Sequence, residues 1–227
     1  MFEAHIAGIT LHLNPSGAVY LPAVQTLLIA DAHIGKAVSF RRSGVPVPQG
    51  TTSETLRGLD HLLAQTNARR IVFLGDLLHA ASAHASSTQQ ALAHWRQSHP
   101  ALELTLVRGN HDDRAGDPPA ALGIQAVDEP LRLLLQGSTL ALCHHPQTVA
   151  GCYALAGHWH PCITVQGSGR DRLRLACFWM GHPINHPVGV LPAFGSFTGM
   201  HPIAGRADDR VFAIAGSVVR ELPPASG

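Results

Sequence analysis

The chain has 227 residues, of which 45% are hydrophobic and 14% charged, with a formal net charge of +1. That length suits one domain with a sizeable core, over residues 1–227, and near-neutrality excludes nucleic-acid binding by bulk charge, leaving it to a local patch. No apolar run reaches the ~18 residues of a membrane span, and the N-terminus lacks the basic-then-apolar order of a secretion signal, so a cytoplasmic protein without membrane association is expected.

Residues 4–13 alternate as a strand, Asn14-Pro15-Ser16-Gly17 forms a turn, and residues 18–21 form the return strand. Four apolar runs then stop at or just before a polar residue. Residues 26–30 stop at Asp31, 71–74 at Gly75-Asp76, 102–107 shortly before Gly109-Asn110, and 140–142 just before His144. Such runs predict strands buried on both faces. A helix capped by Thr51 or Thr52 is expected to run to about residue 65, with Leu56, Leu59, Leu62 and Leu63 on one face. Ser87 and Gln90 form a capping box for a second helix, to about residue 98. Beyond residue 160, strands are expected at 172–178, 210–215 and 217–222, between glycine- and proline-rich segments. The order βαβαβ followed by β-rich sequence predicts two packed sheets with helices outside. Cys143, Cys152, Cys162 and Cys177 form no CxxC pair and are expected as buried thiols.

Five motifs carry the chemistry: Asp31-Ala32-His33, Gly75-Asp76, Gly109-Asn110-His111-Asp112, Cys143-His144-His145 and Gly157-His158-Trp159-His160. Each holds an oxygen or imidazole donor at or just after an apolar run, where sites form in open α/β sheets. Residues two apart, such as Asp31 and His33, share one face of a strand. The donors divide into two sets: Asp31, His33, Asp76 and His160 for one divalent ion, and Asp76, Asn110, His144 and His158 for a second. Asp76, with two oxygens, can bridge them. Two metals about 3.5–4 Å apart can bind a phosphoester, activate water and stabilise the leaving oxygen. Mixed carboxylate, amide and imidazole donors admit Mn, Fe, Co or Zn. Each motif alone is weak, whereas all five in order are specific.

With these residues the sequence resembles the calcineurin-like binuclear metallophosphoesterases, whose pattern is D-x-H, G-D, G-N-H-[DE], H and G-H-x-H. The resemblance implies an α/β fold, a four-layer αββα sandwich of two mixed β-sheets flanked by helices. It also implies that His111 is the acid near the leaving group and that Asp112 orients it through a hydrogen bond. Asp31-Ala-His-Ile-Gly-Lys36, residues 40–48, Gly75-Asp-Leu-Leu-His79 and residues 191–199 are similar to the ligase-associated PdeM-type subgroup. That likeness implies a manganese-dependent DNA endonuclease in DNA repair, functionally associated with a DNA ligase, a helicase and a nuclease.

Arg41, Arg42 and Lys36 follow the first motif and are candidates for gripping DNA phosphates, or form a solvated face. His79 either orients a ligand or touches substrate. His144 follows its strand directly and is assigned as the ligand, leaving His145 behind it or facing substrate. Arg108 is a phosphate contact or a local ion-pair partner. Few aromatics are available for base stacking: Trp159, inside the last motif, and Phe194 or Phe197 are the candidates, with the phenylalanines expected in the core. Two other readings compete with the nuclease: a phosphodiesterase or phosphatase for small molecules such as cyclic nucleotides, and an inactive scaffold. The scaffold would show gaps among the ligands, and every ligand position is filled.

Overall fold

The computed structural model describes residues 1–42, 44–46, 50–79, 86–135, 137–166, 172–195 and 198–224, except the side chains of Ser39, Arg42 and Ala115. Seven strands form the first sheet in chain order: β1 (Phe2–Ile6), β2 (Ile9–Leu13), β3 (Val19–Leu21), β4 (Thr26–Ile29), β5 (Arg70–Leu74), β6 (Glu103–Val107) and β7 (Ile124–Val127). The pairs from β1 to β4 are antiparallel, and those from β4 to β7 are parallel. Four helices are described: α1 (Lys36–Arg42), α2 (Thr51–Thr66), α3 (Ser86–Ser98) and α4 (Asn110–Ala115).

The second sheet has nine strands: β8 (Leu131–Leu135), β9 (Ser138–Leu142), β10 (Tyr153–Ala156), β11 (Pro161–Gln166), β12 (Arg172–Met180), β13 (Val188–Val190), β14 (His201–Pro202), β15 (Arg210–Ala215) and β16 (Val218–Glu221). Its centre, β9, β10 and β13, is parallel. Leu11, Leu13, Leu28, Val72 and Leu74 of the first sheet meet Leu140, Leu142, Leu155, Phe178 and Phe212 of the second in one buried cluster. The outer face of the first sheet packs Leu27, Ile29, Ile71 and Phe73 against Leu56, Leu59 and Leu62 of α2 and Leu92 and Trp95 of α3. The two mixed sheets with flanking helices are the expected α/β fold, and among the described residues every α-helix precedes residue 116. All four cysteines are buried free thiols. No helix among the described residues is long and apolar enough to cross a membrane.

The structure differs from the sequence reading at three element ends. Residues 4–13 are two strands, with Ile6 paired to Ile9 across Ala7-Gly8, both left-handed. The buried positions shift from Ala4 and Ile6 to Ile9, Leu11 and Leu13, and that change of phase marks the turn. Helix α2 is capped by Gly50 at φ 92, with Thr51 one residue inside it. Helix α3 begins at Ser86, so Ser87 lies within it.

Candidate active site

Strands β4, β5 and β6 are parallel neighbours in one sheet, as are β9 and β10 in the other. Their carboxyl ends carry the five motifs to one edge of the sandwich. The aim of the donors does not come from strand alternation. Asp31, His33, Asp76, His158 and His160 all have positive φ, between 45° and 70°. Left-handed backbone costs a non-glycine residue of order 1–3 kcal/mol, and its clustering at one place marks a site held by the surrounding fold.

Three donor groups result. Asp31, His33 and His160 hold their ligand atoms within 4.8 Å of one another, and so do Asp31, Asp76 and His144, and His144, His145 and His158. Asp31 Oδ2 accepts a hydrogen bond from the His158 backbone N–H at 2.8 Å. Its Oδ1 is buried without a hydrogen-bond partner, 3.5 Å from His160 Nε2, which is equally unpartnered. Asp76 faces the first two: Oδ2 lies 4.0 Å from His33 Nε2, and Oδ1 3.6 Å from His144 Nε2. His144 Nε2 is also 3.0 Å from Asn110 Oδ1 and 3.0 Å from His158 Nδ1. Donors about 2.1 Å from a common ion lie roughly 3–3.5 Å apart, so these spacings and the unpartnered buried atoms fit divalent cations.

The electrostatics agree with that fit. Burial, with Lys36 and neighbouring histidines, lowers His33 to about 2, so its imidazole is neutral and its lone pair available. His158 is lowered too, chiefly by burial and then by His144. For His160 burial works downward, but the Asp31 carboxylate outweighs it and raises the ring above its ordinary value. His144 Nδ1 lies 3.1 Å from the Leu74 carbonyl, a hydrogen bond that leaves Nε2 to act as the donor atom.

Packing sets the two adjacent histidines in different surroundings. His144 is fully buried against Asn110, Asp76 and His158. His145 is half exposed, its Nδ1 held 2.8 Å from Glu129 Oε1. Glu129 carries no motif and escapes the sequence reading. Its carboxylate accepts the backbone N–H groups of His144 at 2.7 Å and His145 at 2.9 Å as well. Burial opposes ionisation of Glu129, but the His145 ring and these amides outweigh it and hold the carboxyl below its ordinary range.

Asp112 differs from expectation. Its two oxygens accept from the backbone N–H of Leu78 at 3.2 Å and of Gly109 at 3.0 Å, rather than from the ring of His111. Adjacent residues on α4 point about 100° apart, which aims Asp112 inward at the loops. Burial, first of all, raises Asp112 to about 6. His111 donates its backbone N–H to Asp76 Oδ1 at 2.9 Å, and its ring stacks on His79 at 4.8 Å. His79 also meets His33 edge-on at 5.4 Å and Phe40 at 6.2 Å, which ties α1 to the cluster. Lys36 and Arg41 lie on that helix, and burial lowers Lys36 against the opposing pull of Asp76 and Asp31. The side chain of Arg42, and all of Phe197, lie outside the described residues. Arg108 pairs with Asp117 at 2.8 Å and Asp128 at 2.7 Å, the local ion-pair reading. Phe194 packs on the helix-side core, with its ring against Gly58.

The motif glycines leave room for the donors. A Cβ on Gly75 would lie 2.1 Å from His144 Nδ1, on Gly109 2.5 Å from Asp76 Oδ1, and on Gly157 2.6 Å from Asp31 Oδ2. A later segment braces the first motif, with Phe194 N–H donating to Ala30 O at 2.9 Å and Gly195 N–H to Asp31 O at 3.1 Å.

No protein-family model matches the chain, and no curated protein matches it. Among solved structures, the Pseudomonas putida nuclease MPE is 41% identical, covers 97% of this chain and 99% of its own, and superposes with a TM-score of 0.82. Yfce, a phosphoesterase from E. coli, aligns with 88% of this chain and 99% of its own at 12% identity and a TM-score of 0.43. The first of these is a relative over nearly its whole length, and the Asp/His clusters of this chain could hold metal ions, so the chain belongs to the metallophosphoesterase family of hydrolases.

Proposed function

We propose that this chain is a metal-dependent endonuclease that hydrolyses DNA phosphodiesters, single-stranded DNA first among them. One domain over residues 1–227 carries two divalent cations, manganese foremost, with iron, cobalt or zinc as the other choices. The proposal includes a cytoplasmic role in DNA repair beside a ligase, a helicase and a nuclease. The observation that carries the reading is the double face of Asp76, with one oxygen toward His33 and the other toward His144, whose Nε2 also lies 3.0 Å from Asn110 Oδ1.

In this reading Asp31, His33, Asp76 and His160 hold one ion, and Asp76, Asn110, His144 and His158 hold the other. Bound there, the pair supplies Lewis acidity toward the phosphoryl oxygens and a water of lowered pKa, near 7. Leu74 O sets the tautomer of His144, and Glu129 anchors the backbone that carries it. His111 remains partly open, its Nε2 4.0 Å from Asp76 Oδ2. Its ring holds the proton for the departing sugar oxygen, a step typically worth ~10²–10⁴ in rate. Burial, with His111 and Lys36 nearby, lowers its stacking partner His79 to about 4. His79 is therefore neutral at pH 7 and does not repel a protonated His111. Lys36 and Arg41 stand on the adjacent helix for the flanking phosphates. Asp112 acts through the backbone of Gly109 and Leu78, holding the loops in register.

The test is metal-stripped protein incubated with circular single-stranded DNA, duplex plasmid and a cyclic nucleotide, each with Mn or Mg. Cutting of the circle with Mn supports the reading. Hydrolysis of the cyclic nucleotide alone replaces it with a small-molecule phosphodiesterase, and affinity for DNA then falls little with salt.

A further inference from the structure

Trp159 is out of place for a core residue. It is 42% exposed, while Trp95 and Trp179 are 7% and 5% exposed. It sits between His158 and His160, and consecutive Cα atoms are about 3.8 Å apart, so the segment that bears the indole is the one that bears two of the donors. Left-handed φ at both neighbours, 70° and 47°, and a 2.8 Å hydrogen bond from Trp159 N–H to Gly157 O fix the backbone that bears it.

The ring is also held from one side. It stacks on Trp179 with centroids 5.8 Å apart at 26°. Trp179 is itself immobilised by Nε1–H donating to Asp209 Oδ2 at 2.8 Å and by the edge-on ring of His186 at 5.1 Å. An aromatic surface already fixed before binding loses little freedom when a ligand stacks on it. Asp209 further lines an open groove of about 500 Å³ with Arg206, Ile203 and Val211. Through Trp179 and Asp209 the ring is thus linked to this groove, whose lining holds the Arg206 cation and the Asp209 carboxylate beside apolar side chains.

Resting on the nuclease reading above, we infer that Trp159 is the platform on which a base beside the scissile phosphate stacks, so the substrate is a strand whose base there is unpaired. In a duplex both faces of a base are covered by its neighbours; in a single strand a base can unstack and free a face, and aromatic side chains take it without regard to sequence.

A base-bearing oligonucleotide and a fully abasic strand of equal length are compared, using manganese-loaded wild type, Trp159→Phe and Trp159→Ala. The wild type should prefer the base-bearing strand about tenfold in kcat/KM, carried by KM. Trp159→Phe should keep most of that preference, and Trp159→Ala should bring the ratio toward one. A ratio unchanged in Trp159→Ala, or near one in the wild type, overturns the inference. Tryptophan emission of the metal-free protein supplies a readout independent of cleavage. The base-bearing strand should quench it, and Trp159→Phe should abolish the quench because the other two indoles are buried; a quench that persists overturns the inference. Should the wild type cut neither strand with any cation, the nuclease reading fails, and the emission experiment still decides the role of Trp159.

Discussion

Gly75→Ala should uncouple the metal centre from the fold. Gly75 has φ +77, and an added Cβ would lie 2.1 Å from His144 Nδ1 and 2.4 Å from its Cγ. Ordinary contact begins at 3.4 Å, so the ring must retreat by about 1.3 Å. His144 is fully buried and hydrogen-bonded to Leu74 O, so it cannot yield alone. Overpacking of this kind costs about 1–3 kcal/mol, and the left-handed backbone adds about 1–2 kcal/mol for alanine. A metal site tolerates ligand shifts of only about 0.2 Å, and a misplacement near 1 Å can cost ~10² in rate. Thermal melts with and without Mn, alongside kcat/KM on single-stranded DNA, read both effects. The expected variant is less stable by about 2–5 kcal/mol, responds weakly to Mn, and is slowed about a hundredfold or more. Gly151→Ala is the control, since Gly151 has φ +73 and open space where its Cβ would lie; it should pay the backbone strain and keep the Mn response. A Gly75→Ala protein with wild-type Mn stabilisation and activity would refute the steric argument.

Glu129→Gln weakens the anchor of His144 and His145, and calorimetric titration should show metal affinity lower by about 10–100-fold; unchanged affinity would remove Glu129 from the site. His111→Ala should slow cleavage of a DNA diester by ~10²–10⁴ and affect a p-nitrophenyl diester far less, because that leaving group needs no proton. Equal losses on both substrates would assign His111 to something other than acid catalysis. Phe178→Ala empties a fully buried position between the sheets and should cost about 3–5 kcal/mol in urea melts of metal-free protein. A loss below about 1 kcal/mol would mean the inter-sheet core closes over the gap.

Much of this molecule is legible from local pattern. The buried strands before Asp31, Asp76 and Asn110 announce themselves as apolar runs, since a strand covered on both faces needs no polar residue. The leucines of α2 show their helical spacing, and Leu56, Leu59 and Leu62 are the ones buried. Short strands such as β13 and β14 leave no such trace, because pairing partners supplied from elsewhere in the chain stabilise them. The Ala7-Gly8 turn hides within an alternating run and shows only as a shift of phase.

The sequence by itself determined which donor types are present, their order, and that each follows a buried strand, because these depend on neighbours a few residues away. Tertiary structure decided how the donors point. His158 N–H reaches Asp31 across 127 positions, and Glu129 reaches His144 across 15. The left-handed φ values at five of the site residues persist because packing around them outweighs their local cost. The full burial of His144 beside a half-exposed His145, and the turn of Asp112 toward backbone amides, followed from packing and hydrogen-bond partners that exist only once both sheets have closed on each other.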